Sequence, residues 1–417
     1  MSRSTPRLSN ALASLAFVDY RRFAASLLLT SLGAQLVQTA VLWHVYEVTG
    51  SALLLGLTGL ARAAPHIVLS MAGGVVADRV DRVRLIQAGQ VANAILIALL
   101  ALVTLTDAVE TWHLYVATFL NSAFTAVTTP ARTALIPRLV PQHNLVNAVA
   151  LNATISQISQ IVGPALAGAA IALGGTSSAY LVNGALYFAA MVAIIGIRAV
   201  TRAEATTTTP WRSLVEGMQF VVRRPVIISL LALDVAETAL GSYRALLPII
   251  VANLGVGAGG FGLLSAAPGV GAVVAAVFML SLGDMRYKGL YAVGGVLAYC
   301  VALVGLALSP WFAGALIAAA LLGATNTVQM IPRNAAILTM SPDALRGRVE
   351  AFRTMLAGGA PSIGYTTSGA LASALGAPLA LVLGAFGCAA VVIGLAAGHR
   401  ELRERDLGDP VEEPLRT

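Results

Sequence analysis

Long apolar runs of about twenty residues recur along this chain and are separated by short polar turns. A bilayer interior offers a backbone no water to hydrogen-bond, so only helices and closed barrels can cross it. Hydrophobic residues make up 58% of the 417 residues and charged residues 11%, whereas soluble domains carry about 25% charged residues. The sequence therefore predicts an all-α integral membrane protein with room for twelve transmembrane helices.

The predicted helices form two groups of six, joined by one polar linker. The predicted spans are 23–46, 51–75, 84–106, 113–135, 146–172, 178–197, 226–251, 259–282, 289–308, 312–335, 350–374 and 377–397. The predicted organisation is an N-terminal bundle (1–197), a cytoplasmic linker (198–225), a C-terminal bundle (226–398) and a cytoplasmic tail (399–417). Within the linker, Leu214, Met218, Phe220 and Val221 lie largely on one side, which predicts a short amphipathic helix at the membrane interface.

The basic residues, 25 arginines and Lys288, are distributed unevenly across this topology. Arg62 and Arg244 fall well inside predicted spans, the other 24 fall in segments or span ends on one side of the membrane, and the opposite loops carry none. Loops rich in arginine face the cytoplasm, so both termini are predicted to be cytoplasmic. This placement explains the net charge of +7 without a nucleic-acid partner.

The two halves of the chain are related to each other in sequence. An offset of 201 residues superposes Arg132 on Arg333, Pro141 on Pro342, Gly163 on Gly364 and Gly168 on Gly369. Both halves would have the same orientation in the membrane. A repeat of this kind is typical of transporters whose halves rock about a site near the bilayer midplane.

The charged turn after the second span resembles a known family. Gly74-x-x-x-Asp78-Arg79-x-x-Arg82 is similar to the loop between helices 2 and 3 of major facilitator superfamily transporters. The resemblance implies that Asp78 caps the eleventh helix, and that the arginines tie the two halves together. The implied cytoplasmic gate comprises Gly74, Asp78, Arg79, Arg82, Arg346 and Arg348. The alternative is that these arginines only set the topology.

Further stretches resemble an exporter branch of this superfamily, the one that includes the enterobactin exporter and related drug exporters. They are Pro130-Ala-Arg132, Leu345-Arg-Gly-Arg-Val349, and Gly163-Pro164 with Gly168. The last is similar to a fifth-helix motif associated with antiporters, and its proline is expected to bend the helix. The resemblance implies a bacterial inner-membrane protein that exports siderophores, drugs or other amphipathic molecules, driven by protons.

The seventh span carries three charges, which are the strongest indication of a functional site. At 100° per residue, Asp234, Glu237 and Arg244 fall within about 80° of one another on a single helix face. Glu237 would lie about 16 Å along the span, near the midplane. Charges at that depth usually face a cavity or a partner, and two acids one turn apart disfavour double ionisation. The pattern predicts a proton-carrying pair, and the alternative is an ion pair that only fixes helix packing.

Arg62 is a second intramembrane charge, near the middle of the second span, with His66 one turn further on. Arg62 would attract an anionic substrate or balance the acids, and the alternative is a side chain paired to backbone carbonyls. His66 is predicted to be an interhelical hydrogen-bonding residue. Uncharged polar residues also recur where the family lines its central cavity, although such side chains often only join helices. These cavity candidates are Gln35, Gln38, Asn121, Asn326 and Gln329.

Enzymatic chemistry has no support in the sequence. It contains no phosphate-binding loop of the GxxxxGK[ST] type, and its histidines and two cysteines are too scattered for a metal site. Cys300 and Cys388 lie in apolar runs and are predicted to be buried free thiols. We predict a monomeric secondary transporter without a cofactor, which exchanges protons for a small-molecule substrate. The alternatives are an importer, an uncoupled facilitator, or a non-transporting scaffold or receptor.

Overall fold

The computed structural model describes residues 13–197, 210–283, 287–342, 345–399 and Leu402. Helices joined by short turns account for nearly all of this part of the chain, and no strand occurs within it. In chain order the helices are α1 (Val18–Thr49), α2 (Ala52–Arg79), α3 (Arg82–Leu105), α4 (Thr111–Leu139), α5 (Leu145–Ile194), α6 (Pro210–Val222), α7 (Pro225–Leu240), α8 (Leu247–Asn253), α9 (Gly257–Leu282), α10 (Lys288–Ala307), α11 (Phe312–Thr339), α12 (Arg346–Leu375) and α13 (Ala377–Gly398).

Nine segments of the described chain are long and apolar enough to cross a membrane. One of them, Gln142–Ile194, is 53 residues long and contains α5, whose backbone leaves helical geometry at Gly174 and Gly175. Gly175 has φ 75°, a left-handed conformation that glycine adopts without steric cost. The two arms of α5 correspond to the predicted fifth and sixth spans. The all-helical membrane fold is confirmed, and the count of twelve spans stays a prediction.

The described helices group into two compact units. The first comprises 13–49, 61–197 and Gly257–Ala266, and the second comprises Gly50–Leu60, 210–256 and 267–399. The first residues of α2 therefore pack within the second unit, and the first residues of α9 pack within the first unit. The predicted boundaries at 197, 225 and 398 remain predictions.

The sequence repeat is matched by repeated helix contacts. In the first unit, a Cβ on Gly163 of α5 would lie 3.1 Å from the Leu32 carbonyl oxygen of α1. In the second unit, a Cβ on Gly364 of α12 would overlap the Thr238 carbonyl oxygen of α7. Small residues allow helix backbones to approach this closely. Leu32 and Thr238 therefore occupy equivalent positions in α1 and α7.

A second pair of glycine contacts has the same symmetry. In the first unit, a Cβ on Gly168 of α5 would lie 2.5 Å from the Gly262 Cα of α9. In the second unit, a Cβ on Gly369 of α12 would lie 2.6 Å from the Gly56 Cα of α2. The glycines of the predicted fifth-helix motif and of its repeat thus serve close helix approach. The backbone of α5 remains helical at Pro164, so the predicted proline bend does not appear as a break in the helix.

The predicted helix 226–251 is wrong in one respect, because it is interrupted. Helix α7 ends at Leu240, and α8 begins at Leu247 after a short 3-10 turn at Arg244–Leu246. The Tyr299 hydroxyl of α10 donates a 2.8 Å hydrogen bond to the Gly241 carbonyl at the break. That contact satisfies a carbonyl at the helix end, where no amide of the next turn is available.

The linker helix α6 packs against the start of α12 in the second unit. Arg348 forms an ion pair with Glu216, and a Cβ on Gly217 would overlap the Arg348 carbonyl. Val221 is buried and Met218 is exposed, so the hydrophobic face is only partly covered. The side chain of Leu214 lies outside the described residues.

Candidate functional site

The most buried charges of the second unit lie between α7 and α11. Arg333 Nη1 lies 2.7 Å from Asp234 Oδ1, and their side chains are 3% and 15% exposed. A guanidinium this deep in a membrane protein requires a counter-ion or a cavity. Asp234 supplies the counter-ion, and its proposed part in proton coupling stays a prediction.

A glutamine extends this ion pair to the second acid. Arg333 Nη1 also donates a 2.9 Å hydrogen bond to Gln329 Oε1, and Gln329 Nε2 donates a 2.6 Å hydrogen bond to Glu237 Oε2. Gln329 and Glu237 are each 1% exposed. The four side chains therefore form one connected chain, Asp234–Arg333–Gln329–Glu237, which we call the acid–guanidinium chain.

The charge balance of this chain depends on Glu237. Arg333 contributes one positive charge and Asp234 one negative charge, so the pair is neutral without Glu237. Glu237 Oε1 is buried and has no hydrogen-bond partner within the described chain. A buried carboxylate with an unsatisfied oxygen is costly when ionised. The geometry therefore accommodates a protonated Glu237 better than an ionised one.

Arg333 is a residue of this candidate site that the sequence did not single out. It falls near the end of the predicted span 312–335, which assigns it to the cytoplasmic side, whereas in the structure it lies inside α11 and is buried. A sequence signal existed, since Arg333 and Arg132 share the register of the internal repeat and both fall before the end of a predicted span. The positive-inside rule hid this signal because it treats arginines near span ends as cytoplasmic.

Arg244 does not share a helix face with the two acids, which corrects the predicted three-charge face. The break at 241–243 separates it from α7, and its guanidinium carbon lies 5.9 Å from the centre of the Tyr243 ring. Tyr243 is in turn 6.5 Å from Tyr299, measured between ring centres. Arg244 is therefore placed among aromatic rings, where a guanidinium is stabilised by the ring faces.

The uncharged polar candidates are distributed over different environments. Asn121 Nδ2 donates to Asn93 Oδ1 at 2.7 Å and to the Tyr187 hydroxyl at 3.2 Å, so it joins helices of the first unit. Asn326 is exposed, and Gln35 and Gln38 are half-buried. Of the five candidates, Gln329 is the one that the structure brings next to the charged residues.

Arg62 lies in the first unit and is exposed. Its carbonyl accepts a 2.7 Å hydrogen bond from the Ser122 hydroxyl, and within the described residues its guanidinium forms no ion pair. Arg62 thus belongs to the first unit, whereas the acid–guanidinium chain belongs to the second. The side chain of His66 lies outside the described residues.

The predicted gate residues are only partly described. The side chains of Asp78 and Arg79 lie outside the described residues, and so do the surroundings of Gly74. Arg82 is buried and donates a 3.1 Å hydrogen bond to the Ala134 carbonyl of α4. Arg346 donates a 3.2 Å hydrogen bond to the Leu338 carbonyl, while Arg348 pairs with the linker helix as described above. A gating role for these residues stays a prediction.

A separate polar cluster joins α1 to the second arm of α5. Glu47, which is exposed, accepts a 2.7 Å hydrogen bond from the Thr176 hydroxyl. His44 and Tyr180 are buried, with 3.0 Å between His44 Nδ1 and the Tyr180 hydroxyl. Cys300 and Cys388 are buried free thiols, as the sequence predicts.

Comparison with solved structures defines the class of the fold. A bacterial homolog of the human lysosomal transporter Spinster, in an inward-facing and occupied conformation, superposes with a TM-score of 0.74 at 14% identity, covering 93% of this chain and 98% of that one. The nucleoside transporter NupG gives a TM-score of 0.70 at 12% identity, covering 91% of this chain and 98% of that one. The chain therefore has the same fold as these two transporters.

Sequence comparison then assigns the family. The chain matches the transmembrane secretion effector family over residues 9–412, and it belongs to that family of transporters. It is 25% identical over 326 residues to the enterobactin exporter EntS of Shigella boydii serotype 4 (strain Sb227), which covers 78% of each protein. It is 26% identical over 390 residues to YfiS of Bacillus subtilis (strain 168), an uncharacterized MFS-type transporter, covering 89% of this chain and 90% of YfiS. The chain is thus a multi-pass membrane transporter, not an enzyme.

Proposed function

We propose that this protein exports an amphipathic small molecule across a bacterial inner membrane in exchange for protons. It would work as a monomer, because one chain supplies both repeats. The distribution of arginines favours a topology with both termini in the cytoplasm. The observation that supports this most directly is the acid–guanidinium chain, in which a buried acid is linked to a neutralised ion pair. The similarity to an exporter of a siderophore favours the outward direction.

Glu237 is the proposed proton carrier. In its protonated form the buried chain is neutral, which suits a helix interface shielded from water. When the proton leaves, Glu237 gains a charge that Arg333 can attract through Gln329. The carboxylates would then compete for one guanidinium, so α7 and α11 would favour different arrangements in the two protonation states. A change of that kind couples proton binding to helix position.

Asp234 has a different proposed role. It is partly exposed and directly paired with Arg333, so it keeps the guanidinium neutralised when Glu237 is protonated. Loss of this carboxylate would leave Glu237 as the remaining acid beside Arg333. We therefore expect Asp234→Asn to hold Glu237 in its ionised form and to uncouple transport from protons.

Efflux from intact cells tests this function. An efflux-deficient bacterial host expressing the protein is loaded with a panel of dyes, antibiotics and catecholate siderophores, and retention is measured with and without a protonophore. Wild type is expected to lower the retention of at least one compound, and the protonophore is expected to abolish this effect. Glu237→Gln should abolish it as well, because a neutral amide cannot exchange a proton.

Glu47→Gln is the matched control, since Glu47 is an exposed carboxylate bonded to Thr176 in the first unit. It should leave retention at the wild-type level when expression is matched. If Glu237→Gln exports as well as wild type and stays sensitive to the protonophore, Glu237 is not the proton carrier. If wild type raises retention instead, the protein is an importer.

A further inference from the structure

The first unit contains a cavity of about 400 Å³ between helices α1, α3, α4 and α5. This is within the range of about 300–1,000 Å³ that is usual for small-molecule sites. Its walls combine apolar side chains such as Phe23, Leu27 and Ile136 with hydroxyl and amide groups. Among the described residues that line it, Arg132 of α4 is the one that carries a charge, and none is an acid.

The guanidinium of Arg132 lacks a counter-ion in the described part of the chain. Its Nε is buried and has no hydrogen-bond partner there, and the titratable side chain that interacts with it is the neutral phenol of Tyr187 rather than a carboxylate. An isolated charge at such a position is costly, which is why intramembrane arginines are usually paired. Arg132 therefore has capacity for an anion.

The internal repeat shows where a counter-ion for Arg132 would be expected. Arg333, its counterpart in the second unit, is neutralised by Asp234 at 2.7 Å. Because Leu32 of α1 is equivalent to Thr238 of α7, the position of Asp234 corresponds to Leu28, and that of Glu237 corresponds to Ser31. Neither first-unit residue carries a charge. The counter-ion built into the second unit is thus absent from the equivalent place in the first.

The equivalence of α4 with α11 is supported by a separate contact. A Cβ on Gly89 of α3 would overlap Thr128 of α4, and a Cβ on Gly295 of α10 would lie 2.6 Å from the Gln329 Cβ of α11. Thr128 is therefore the counterpart of Gln329. Three counterparts of the acid–guanidinium chain, namely Ser31, Thr128 and Arg132, all line the cavity. The cavity thus occupies the place that the charged chain occupies in the second unit.

We propose that this cavity binds the anionic group of an amphipathic small molecule, with Arg132 as the counter-ion. This inference rests on the proposed export function in naming its substrate as an amphipathic anion, while the binding itself can be measured without transport. Asn152 Oδ1 already accepts from the Tyr20 hydroxyl, which leaves its amide hydrogens available as donors at the cavity wall. The apolar side chains contact the rest of the ligand.

The test uses the purified full chain in phosphatidylcholine nanodiscs, with 2-naphthoate and its neutral amide, 2-naphthamide, as probes. Binding is measured by titration calorimetry. A charged hydrogen-bond pair in a buried site discriminates between such ligands by about 10-fold to 100-fold. We expect wild type to bind the naphthoate tighter than the amide by that factor, and Arg132→Gln to remove the difference.

Ser31→Glu tests the same idea without removing Arg132. The new carboxylate would stand where the second unit has Glu237, in the cavity that Arg132 also lines, and would act as an internal counter-ion. Naphthoate binding should fall at least about 10-fold while naphthamide binding stays within about threefold. Arg138→Gln is the control, because Arg138 is an exposed arginine of the same helix outside the cavity, and it should bind naphthoate as wild type does.

Several results would overturn the proposal. They are equal affinity of wild type for both probes, no binding of either, or full naphthoate binding by Arg132→Gln and Ser31→Glu. If phosphatidylglycerol in the nanodiscs blocks naphthoate binding, the occupant is a lipid headgroup and our choice of ligand is wrong. Preferential naphthoate binding combined with no efflux of any compound would support this site and contradict the export function.

Discussion

Breaking the buried ion pair between Asp234 and Arg333 should destabilise the second unit strongly, and removing both partners should cost less than the sum of the single changes. Two unit charges about 4 Å apart attract by about 4 kcal/mol at an effective dielectric constant of 20. Asp234 is 15% exposed, so we expect a coupling free energy of about 3 kcal/mol, at the upper end of measured values.

The variants are Asp234→Leu, Arg333→Leu and the double substitution. Each single change should lower the free energy of unfolding by about 3–5 kcal/mol, because it leaves a buried charge without its partner. The double change should lower it by about 3 kcal/mol less than the two single changes added together. Leucine fills the space with apolar atoms and adds no polar group of its own. Arg333→Leu and the double substitution both remove the donor to Gln329 Oε1, so this loss cancels in the coupling free energy.

The two cysteines of the chain provide the assay. Both Cys300 and Cys388 are buried, so a thiol-reactive dye labels the protein only as the second unit opens in a denaturant titration. Arg138→Leu serves as the control, since substitutions at exposed positions usually change stability by at most about 0.5 kcal/mol. Additive effects of the two single changes would refute the reasoning, because they would mean that the side chains do not interact.

The same assay checks two packing predictions. Gly369→Ala should lower the free energy of unfolding by about 1–3 kcal/mol, because the added Cβ would lie 2.6 Å from the Gly56 Cα within the second unit. Gly294→Ala, at a helical glycine of the same unit with no heavy atom within 4 Å of the added Cβ, should instead stabilise by about 0.5–1 kcal/mol, and equal effects would contradict the close approach. Tyr299→Phe removes the hydrogen bond to the Gly241 carbonyl and should cost about 0.5–1.5 kcal/mol, whereas an unchanged midpoint would show that the carbonyl finds another donor.

The two halves of this transporter keep a common framework and differ in charge. The glycine contacts of α5 with α1 recur between α12 and α7, so the helix positions are set by the same small residues. The arginine of the repeat is also kept, as Arg132 and Arg333. The acids are not kept in the first half, since Leu28 and Ser31 stand at the positions that correspond to Asp234 and Glu237. On our proposals, one half would handle protons and the other would bind the anionic group of the substrate.

Several features were accessible from sequence because they depend on local properties. Hydropathy alone predicted where helices lie, since each must shield its backbone from lipid over its own length. Asp234 and Glu237 stood out because ionisable residues are rare in apolar spans. Gln329 was identified as a polar residue within a span, although its contact with Glu237 was not predicted.

The residue that pairs with Asp234 could not be predicted from the sequence. The sequence placed Arg244 on the same helix face as the acids, but the apolar run continues across the break that removes Arg244 from that face. The actual partner, Arg333, lies on α11, and its distance from α7 is set by helix packing. Charge and periodicity describe one helix at a time, so they cannot rank partners on different helices.

By itself, the sequence determined that this chain is a helical membrane protein, that it is built from a repeat, and which exporters it resembles. It did so because membrane insertion and repetition leave direct patterns in the order of residues. Only the tertiary structure decided which guanidinium is neutralised and which is left facing a cavity. That difference depends on whether a carboxylate on a neighbouring helix comes within a few ångströms, and only helix packing brings such groups together.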